Sequence, residues 1–534
     1  MRPNFLFIIT DQHRADHLGC YGNSVVRTPH IDSIAARGWR SERFYVANPA
    51  CMPNRATLMT SRMPSLHGVR SNGIALSAEA TTFVELLRAA GYTTASSGKI
   101  HLQPMLGEGP ILRRPPGVGI PPPEDLAEAR HAEKNGISYD QERISRWQSD
   151  PTHDLSLPYY GFDEVHLTMM HADGAHGHYG RWRNNRHPNA DTELVGTENA
   201  LPQSNIEALQ AWRTAVPEEL YSTTYIKEQA LGVLRRQTAA SGSAAPFFLH
   251  CSFPDPHHPF TPPGKYWDMY DPKKMQLPAA FRPNVGTPPP PLAHLLAERD
   301  EGRANRNSWM LQAVSERDVR EALALTYGSI TMIDDAVGEL LAELEHLDLH
   351  RNTVVVFTSD HGDYMGDHQL MFKGPIHYDG LIRVPFIWAD PQATSTVPAK
   401  SAALAGTVDI GATILARAGL QPFNGMQGRN LLPVIDGTVI GVREAIVVEE
   451  DNQRAFLGFD RPVRMRTLVT NRWRLTVYRG VEWGELYDIH DDQLELNNRW
   501  NDPELLPVRE QLLMQLVQQM QELADDSPLP TSRA

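Results

Sequence analysis

Cysteine and long apolar runs are both scarce in this chain. Only three cysteines occur, widely spaced at positions 20, 51 and 251, which excludes a disulfide framework and favours a reducing compartment. No apolar run is long enough to span a bilayer, and the run at residues 5–9 is too short for the core of a signal peptide. We therefore expect a cytoplasmic protein that does not act on or in a membrane.

Positive charge is also in deficit. The 50 Lys and Arg residues face 64 Asp and Glu residues, and the net charge of -14 disfavours non-specific binding to nucleic acid or to an anionic membrane. A local cationic pocket for a small anion remains compatible with this balance. Hydrophobic residues make up 41% of the 534, so a large core can form without disulfides or partners.

Short apolar runs that end abruptly in polar residues alternate with helical patterns. The runs are typical of buried parallel strands and lie at residues 5–10, 92–97, 246–251 and 353–358. Apolar residues recur with helical spacing at 82–90 and 330–347. This alternation predicts an α/β fold, a large doubly wound sheet flanked by helices, in which ligands bind beyond the carboxyl ends of the strands.

The pattern changes near residue 437. Shorter β-like runs follow at 444–448, 464–470 and 473–478, and a helix-like segment follows at 507–523. We predict a catalytic domain over residues 1–437 and a small α+β C-terminal subdomain over residues 438–534. Two proline-rich stretches, 107–123 and 278–291, are predicted loops.

Acidic, amide and imidazole groups follow two of the predicted core strands. Asp11 and Gln12 follow the first strand, and Asp360 and His361 follow the last. Two carboxylates, an amide oxygen and an imidazole can converge on one divalent cation. The alternative is that strand-end aspartates only cap loops or helices.

A candidate nucleophile lies in the segment Cys51-Met52-Pro53-Asn54-Arg55. It resembles the sulfatase signature Cys-x-Pro-x-Arg, the recognition sequence for oxidation of cysteine to formylglycine. The resemblance continues through residues 55–60, 67–69 and 72–73. The alternative interpretation of Cys51 is a small buried hydrophobic residue.

Further motifs follow in the order that sulfatases show. They are Gly-Lys-Ile-His-Leu at 98–102, Pro-His-His-Pro at 256–259, Thr-Ser-Asp-His-Gly at 358–362, Lys-Gly at 373–374 and Leu-Tyr-Asp at 486–488. The chain is identified as a member of the formylglycine-dependent (type I) sulfatases of the alkaline phosphatase superfamily. The resemblance implies an alkaline phosphatase-like mixed sheet and hydrolysis of sulfate monoesters through a covalent sulfo-enzyme intermediate.

The same resemblance implies a role for each motif residue. The hydrated formylglycine at position 51 attacks sulfur, and Arg55 holds the aldehyde diol. Lys99 and Lys373 neutralise the sulfate oxygens. The remaining implied roles belong to proton transfer and to the metal: His101 takes the proton in the elimination step, His257 or Lys373 protonates the leaving oxygen, and Asp11, Gln12, Asp360 and His361 hold one divalent ion.

Departures from the common pattern leave alternatives open. Asp-Gln and Asp-His at the metal motifs occur in some sulfatases and also in phosphonate monoester hydrolases, and the imidazole of His361 makes Mn²⁺ an alternative to the favoured Ca²⁺. Asn72 resembles a substrate-binding Asn of choline sulfatase and of phosphonate monoester hydrolases. Lys99 and His101 favour sulfate, so a phosphonate monoester or phosphodiester hydrolase is the alternative. A non-catalytic anion-binding protein is a third possibility if Cys51 stays unmodified.

The expected partners follow from this reading. They are a small-molecule sulfate ester and a formylglycine-generating maturation enzyme, with no nucleic acid and with homo-oligomerisation left open. Asn54 stands where Ser or Ala is usual in the signature, which leaves open which maturation system recognises the segment. A His-rich tract at 171–183 is predicted to be pocket wall, with a second metal as the less favoured alternative.

Overall fold

A computed structural model of the chain describes residues 2–111, 119–120, 122–123, 125–126, 134–202, 206–239, 245–393, 399–527 and 530–532. The predicted loop at 107–123 lies partly outside the described residues. The strands of the described parts are β1 (Asn4–Asp11), β2 (Trp39–Ser41), β3 (Phe44–Tyr45), β4 (Thr93–Gly98), β5 (Glu164–Met169), β6 (His176–Gly177), β7 (Phe247–Pro256), β8 (Gln312–Ala313), β9 (Thr353–Ser359), β10 (Leu370–Met371), β11 (Phe386–Ala389), β12 (Lys400–Ser401), β13 (Ala405–Gly406), β14 (Ala445–Asp451), β15 (Arg464–Thr470), β16 (Trp473–Tyr478) and β17 (Gly484–Asp488).

The α-helices vary from a single turn to 31 residues. In the described residues they are α1 (Pro29–Arg37), α2 (Cys51–Thr60), α3 (Pro64–His67), α4 (Phe83–Ala89), α5 (Ile144–Ser149), α6 (His178–Arg186), α7 (Ala190–Glu193), α8 (Ser222–Ala239), α9 (Pro290–Asp300), α10 (Glu316–His346), α11 (Asp379–Ile382), α12 (Asp409–Arg417), α13 (Leu432–Ile435) and α14 (Leu506–Glu522). Within the described residues, none of these helices combines the length and the apolar character that crossing a membrane requires.

Nine strands form one mixed sheet in the order β12-β2-β11-β9-β1-β7-β4-β5-β6. The five strands from β9 to β5 run parallel to one another. Antiparallel strands flank them, because β11 pairs antiparallel with β9 and β6 pairs antiparallel with β5. The predicted large mixed α/β sheet is confirmed.

The sequence of β1 explains why both faces of the sheet are covered. All eight of its residues are buried. Phe5, Phe7 and Ile9 lie in one hydrophobic cluster, whereas Leu6 and Ile8 lie in a second cluster on the opposite face. Helices α2, α4 and α12 supply residues to the first cluster, and α1, α8 and α10 supply residues to the second. A strand buried on both faces needs a continuous apolar run, as the sequence has here.

A second sheet follows the catalytic core. Its four strands β14-β15-β16-β17 are antiparallel neighbours. One face packs on α14 through Val447, Leu475 and Leu512, among others. On the other face, Val448 and Tyr487 belong to the main hydrophobic cluster. The predicted α+β character of this region agrees with the observed elements, and the boundary at 437/438 stays a prediction.

The observed elements extend the predicted ones in two places. Helix α10 begins at Glu316, well before the predicted residue 330, with a capping box between Ser315 and Asp318. Its earlier half is buried almost all round, so its apolar residues do not show the one-sided spacing on which the prediction relied. Strand β17 was not predicted from its five residues, Gly484–Asp488.

Candidate functional site

The candidate site lies where the parallel strands end. Asp11 is the last residue of β1, and Lys99 follows β4 directly. His257 follows β7, and Asp360 follows β9. Because β9, β1, β7 and β4 are neighbours in the sheet, their polar termini meet at one edge.

Cys51 faces this edge from the first position of α2. All ten residues of the helix are buried, and the N-cap residue is Ala50. The Cys51 Sγ atom lies 3.1 Å from His361 Nε2, 3.1 Å from Lys373 Nζ and 3.7 Å from Asp11 Oδ1. The positive end of the helix dipole points at the same position. A nucleophile placed here is surrounded by cationic and metal-ligating groups.

The electrostatics at position 51 favour an anion. Burial alone raises the pKa of the Cys51 thiol, but Lys373, Lys99 and His361 together lower that pKa well below its ordinary value. The His101 side chain also contributes to lowering this pKa. The same positive field acts on any anionic oxygen that occupies this position.

Arg55 ties the strand ends together from one turn further along α2. Its side chain is 2% exposed, and its Nε atom donates to Asp360 Oδ2 at 2.7 Å. Nη1 donates to the Lys99 carbonyl at 2.8 Å and to Ser252 Oγ at 3.0 Å, and Nη2 lies 3.5 Å from Asp11 Oδ2. One guanidinium therefore contacts the last residue of β1, a residue within β7 and the residues that directly follow β4 and β9.

Asp11, Asp360 and His361 form a group that can hold a metal ion. Their ligand atoms, with the Cys51 Sγ, all lie within 4.8 Å of one another. His361 Nδ1 lies 2.9 Å from the Gly362 carbonyl, so we place its proton there. Nε2 then carries the lone pair and lies 3.5 Å from Asp11 and 3.7 Å from Asp360, so all three groups offer electron pairs to one cation position. This is the tautomer that a metal-binding imidazole adopts.

Gln12 adds an amide oxygen beside this group. Its Nε2 donates to Asp363 and lies 3.0 Å from His258 Nδ1, whereas its Oε1 is buried and has no hydrogen-bond partner among the described residues. Its φ of 61° is rare for a residue other than glycine. A buried carbonyl oxygen without a donor is unfavourable, and a hard cation satisfies it. The donor set of two carboxylates, an amide oxygen and an imidazole fits one divalent ion.

The Lys373 ammonium lies between the nucleophile position and two histidines, His257 and His361. Its Nζ lies 3.1 Å from Cys51 Sγ, 2.9 Å from His257 Nε2 and 3.0 Å from His361 Nε2. Burial lowers the pKa of Lys373, but the charges of Cys51 and Asp11 outweigh burial and raise it. His257 Nδ1 donates to the carbonyl of residue 258, which leaves its Nε2 as the acceptor. The Lys373 ammonium is thus within hydrogen-bond distance of the nucleophile position, of a free histidine acceptor and of a metal-ligand candidate.

The segment after Lys373 is held by the C-terminal sheet. His377 Nδ1 lies 2.8 Å from Thr467 Oγ1 on β15, and His377 Nε2 lies 3.0 Å from Glu450 Oε2 on β14. The Tyr364 hydroxyl group shares its one proton between the carbonyl oxygens of Gly374 and Ile376, which lie 2.8 and 2.7 Å away. The position of Lys373 therefore depends on contacts from the C-terminal sheet and from the loop after β9.

His101 is held by a buried carboxylate. The backbone N–H groups of residues 101, 102 and 103 donate to Glu142 at 2.9, 2.9 and 3.2 Å, and the Tyr159 hydroxyl donates to it at 2.8 Å. His101 has a φ of 57°, which this cradle of hydrogen bonds stabilises. The Glu142 contacts fix the turn that points the His101 imidazole at Cys51.

Asn72 lies at the exposed rim of the site. Its Oδ1 accepts a hydrogen bond from the Met52 backbone N–H at 3.1 Å, beside the N-terminus of α2. Its backbone carbonyl accepts from the Gln453 side chain, which belongs to the loop after β14. A substrate-binding role for Asn72 stays a prediction.

Several residues of the site were not predicted from the sequence. His171 lies with its Nε2 2.7 Å from Lys99 Nζ and 3.7 Å from Asp11 Oδ2, although its tract was predicted to be pocket wall. Asn54 accepts from the Ala47 N–H at 3.0 Å and donates to the Asp360 carbonyl, which fixes the strand end. Glu142 and Ser252 likewise gave no signal, because no motif contains them.

A second metal-capable group overlaps the first. It consists of Asp11, Cys51, His171 and His257, with ligand atoms within 4.8 Å of one another. This set contains one carboxylate, and both of its imidazole Nε2 atoms face lysine ammonium groups. The set with Asp360 and His361 offers two carboxylates and the unpaired Gln12 oxygen, so it is the better site for a hard cation.

The mixed sheet and the polar cluster at its carboxyl edge define a hydrolase of the alkaline phosphatase superfamily. The sulfatase family model matches residues 3–109 and 164–420, and a model described as N-sulphoglucosamine sulphohydrolase, C-terminal, matches residues 366–522. The first match spans more than half of the chain. The chain belongs to the sulfatase family and is a sulfuric ester hydrolase.

Relatives and solved structures agree with this family. An arylsulfatase of Clostridium perfringens is 28% identical over 73% of this chain and 69% of its own length. A choline-sulfatase of Rhizobium meliloti is 25% identical over 94% of this chain and 83% of its own length. The crystal structure of phosphonate monoester hydrolase from Agrobacterium radiobacter is similar with a TM-score of 0.76 and 24% identity, covering 99% of this chain and 97% of that chain. This last likeness confirms the fold.

The contacts of Arg55 predict a stabilising role that does not depend on turnover. Arg55→Met is expected to lower the free energy of unfolding by roughly 3–5 kcal/mol, because it leaves the buried Asp11 and Asp360 carboxylates without their shared partner. Chemical denaturation in the presence of a chelator measures the effect. Arg70→Met, at an exposed arginine, is the matched control and should change stability by less than about 0.5 kcal/mol. Equal stability of the two variants would contradict the prediction.

Proposed function

We propose that this chain hydrolyses sulfate monoesters at the cluster around Cys51, with Cys51 converted to formylglycine. The observation that carries the proposal is the position of Cys51 at the N-terminus of α2, with its Sγ 3.1 Å from both Lys373 Nζ and His361 Nε2. The relatives named arylsulfatase and choline-sulfatase support sulfate as the transferred group. The Cys-x-Pro-x-Arg segment supports the modification and a maturation enzyme as partner.

The chemistry of an aldehyde at position 51 suits this arrangement. Its hydrate carries two hydroxyl groups on one carbon, of which one attacks sulfur and expels the alcohol. Loss of the proton from the second hydroxyl expels sulfate and regenerates the aldehyde, so water never has to attack sulfur. The His101 side chain lowers the pKa of the Cys51 thiol, and this influence on position 51 supports its role as the base in the second step.

A divalent ion held by Asp11, Gln12, Asp360 and His361 belongs to the proposal. When bound, it supplies positive charge that stabilises the oxyanion form of the attacking hydroxyl and the sulfate oxygens. The two carboxylates and the unpaired Gln12 Oε1 favour Ca²⁺, and the His361 imidazole keeps Mn²⁺ as the alternative.

Two lysines and His257 also lie near the nucleophile position, next to the proposed metal ligands. The Lys99 ammonium is buried and the Lys373 ammonium is partly buried, and both neutralise negative charge on the transferred group. His257 Nε2 accepts from Lys373 Nζ at 2.9 Å, so a proton can pass between these two groups and the leaving oxygen. Arg55, already committed to Asp360 and Asp11, orients the residue at position 51 through α2 and the strand ends.

Phosphonate monoester or phosphodiester hydrolysis is the second candidate function. The observations in its favour are Gln12 and His361 at the metal site and Asn72 at the rim of α2. The same cationic surroundings stabilise a singly charged phosphodiester. Lys99 and His101 match the sulfatase motif and favour sulfate esters as the main substrates. We propose that phosphorus esters are secondary substrates.

Loss of the thiol at position 51 tests the nucleophile. Cys51→Ala should abolish turnover of an aryl sulfate while leaving the fold intact, because no other group is placed at this position. Peptide mass analysis of the wild-type protein should find an aldehyde in place of the thiol. Cys20→Ala, which changes a half-buried cysteine outside the cluster, should keep its activity. A Cys51→Ala protein that retains most of the activity would return Cys51 to a packing role.

Removal of one carboxylate tests the metal site. Asp360→Asn should lower both the bound divalent ion and the activity, because it removes one of two charged ligands. Elemental analysis of the wild-type protein should find one ion and distinguish Ca²⁺ from Mn²⁺. The control is Asp335→Asn, at a separate His30, Asp334 and Asp335 group. An Asp360→Asn protein with a full complement of ion would show that the ion lies elsewhere.

Substrate preference tests the proposed reaction against its alternative. We expect kcat/KM for an aryl sulfate to exceed that for the matching phosphodiester and phosphonate, because Lys99 and His101 match the sulfatase motif. Steady-state assays with a common aryl leaving group compare the three esters directly. A phosphonate or phosphodiester preferred over the sulfate would move the protein to the alternative class.

A further inference from the structure

His171 is a site residue to which no motif assigns a role. Its Nε2 atom lies 2.7 Å from Lys99 Nζ, and an ammonium group has only donors. Nε2 must therefore be the acceptor, and the imidazole proton lies on Nδ1. Nδ1 is buried and has no hydrogen-bond partner within the described part of the chain. Nε2 also lies 3.7 Å from Asp11 Oδ2, so the contact with Lys99 is the shorter of its two polar contacts with described residues of the site.

The backbone around His171 is unusual on both sides. Met170 and Ala172 have φ angles of 62° and 55°, in the left-handed region that residues other than glycine rarely adopt. His171 stands between them, two residues after the end of β5. Left-handed residues on both sides of one residue persist only where the surrounding structure holds them. Such strained backbone occurs most often at functional sites.

A stacked pair of imidazoles fixes the plane of the His171 ring. The rings of His171 and His257 have centroids 3.6 Å apart and an interplanar angle of 4°. His257 accepts from Lys373 Nζ, as His171 accepts from Lys99 Nζ. Each ring of the stacked pair therefore accepts from a different lysine of the site.

The contact between Lys99 and His171 limits where the N–H groups of the Lys99 ammonium can point. One proton goes to the Asp11 carboxylate and one goes to His171, which leaves a single N–H free. Two fixed acceptors set the direction of the third bond. Without His171, the ammonium could rotate about its bond to Asp11, and its remaining protons would have no fixed direction.

We propose that His171 is a positioning residue, which aims one N–H of Lys99 at the sulfate oxygens by accepting another. The proposal rests on the proposed role of Lys99 in the sulfate site. In this role the imidazole Nε2 must accept a hydrogen bond, whereas a residue that only fills the pocket wall needs no acceptor. A Gln side chain can present an oxygen near the place of Nε2, whereas a Phe side chain keeps the stacking on His257 and removes the acceptor.

Binding of inorganic sulfate tests the proposal without any turnover. In the Cys51→Ala protein, calorimetry should find that His171→Phe weakens sulfate binding by roughly tenfold, the scale of one charge-assisted hydrogen bond. His171→Gln should restore most of that affinity. In a Lys99→Met background, His171→Phe should have no further effect, because the residue acts through Lys99. Equal losses with and without Lys99, or a Phe variant that binds better than the Gln variant, would overturn the proposal.

Kinetics with an aryl sulfate form the second arm. In the protein with Cys51 intact, His171→Phe should lower kcat/KM by about tenfold to a hundredfold, and His171→Gln should recover most of it. His166→Phe is the matched control, because His166 lies on β5 and pairs with Glu164 at 2.7 Å. If the effects of His171 and Lys99 on sulfate binding are coupled but the protein has no aryl sulfatase activity, the proposed function is wrong and the role of His171 is retained. Normal activity of His171→Phe would overturn that role.

Discussion

The buried carboxylate of Asp11 is the charge on which the site depends. It accepts from Lys99, lies 3.5 Å from an Arg55 nitrogen and 3.5 Å from His361 Nε2. Burial and the nearby Cys51 raise its pKa, but Lys99 and His257 lower that pKa well below the ordinary value, so Asp11 stays charged. An isolated carboxylate at this depth would be strongly unfavourable. The cations that stabilise it are the same groups that prepare the position of residue 51 for an anion.

The two halves of the site differ in how much net charge they carry. On one side, Asp11 and Asp360 supply two negative charges to a cation and to Arg55. On the other side of this balance, the buried Lys99 and the partly buried Lys373 supply positive charge, Lys99 to Asp11 and Lys373 next to residue 51. A sulfate ester carries one negative charge that is spread over its oxygens. Because the two carboxylates already offset part of the positive charge of the site, the site can bind this anion without a large excess of cationic residues. This balance explains how a chain with a net charge of -14 binds an anion.

Much of the fold and the centre of the site could be predicted from the sequence. Strands β1, β7 and β9 are buried on both faces, so their apolar runs are visible, and polar residues such as Asp11 and Asp360 stand at or directly after the strand ends. His171 could not be predicted, because its place depends on two left-handed residues and on a ring that is brought near by β7. Glu142 was missed for a similar reason: its role is to accept three backbone N–H groups, which leave no sequence pattern.

The contacts of His377 with Thr467 and Glu450 have a consequence for how this protein can vary over evolution. The C-terminal sheet is not an independent module, since two of its strands hold the segment that begins with Lys373. An exchange of this sheet between related chains would change the support of a lysine in the reaction site. Inheritance should therefore keep the sheet and the Lys373 segment together, and diversity should accumulate on the far face of α14, where Met514 and Val517 are exposed.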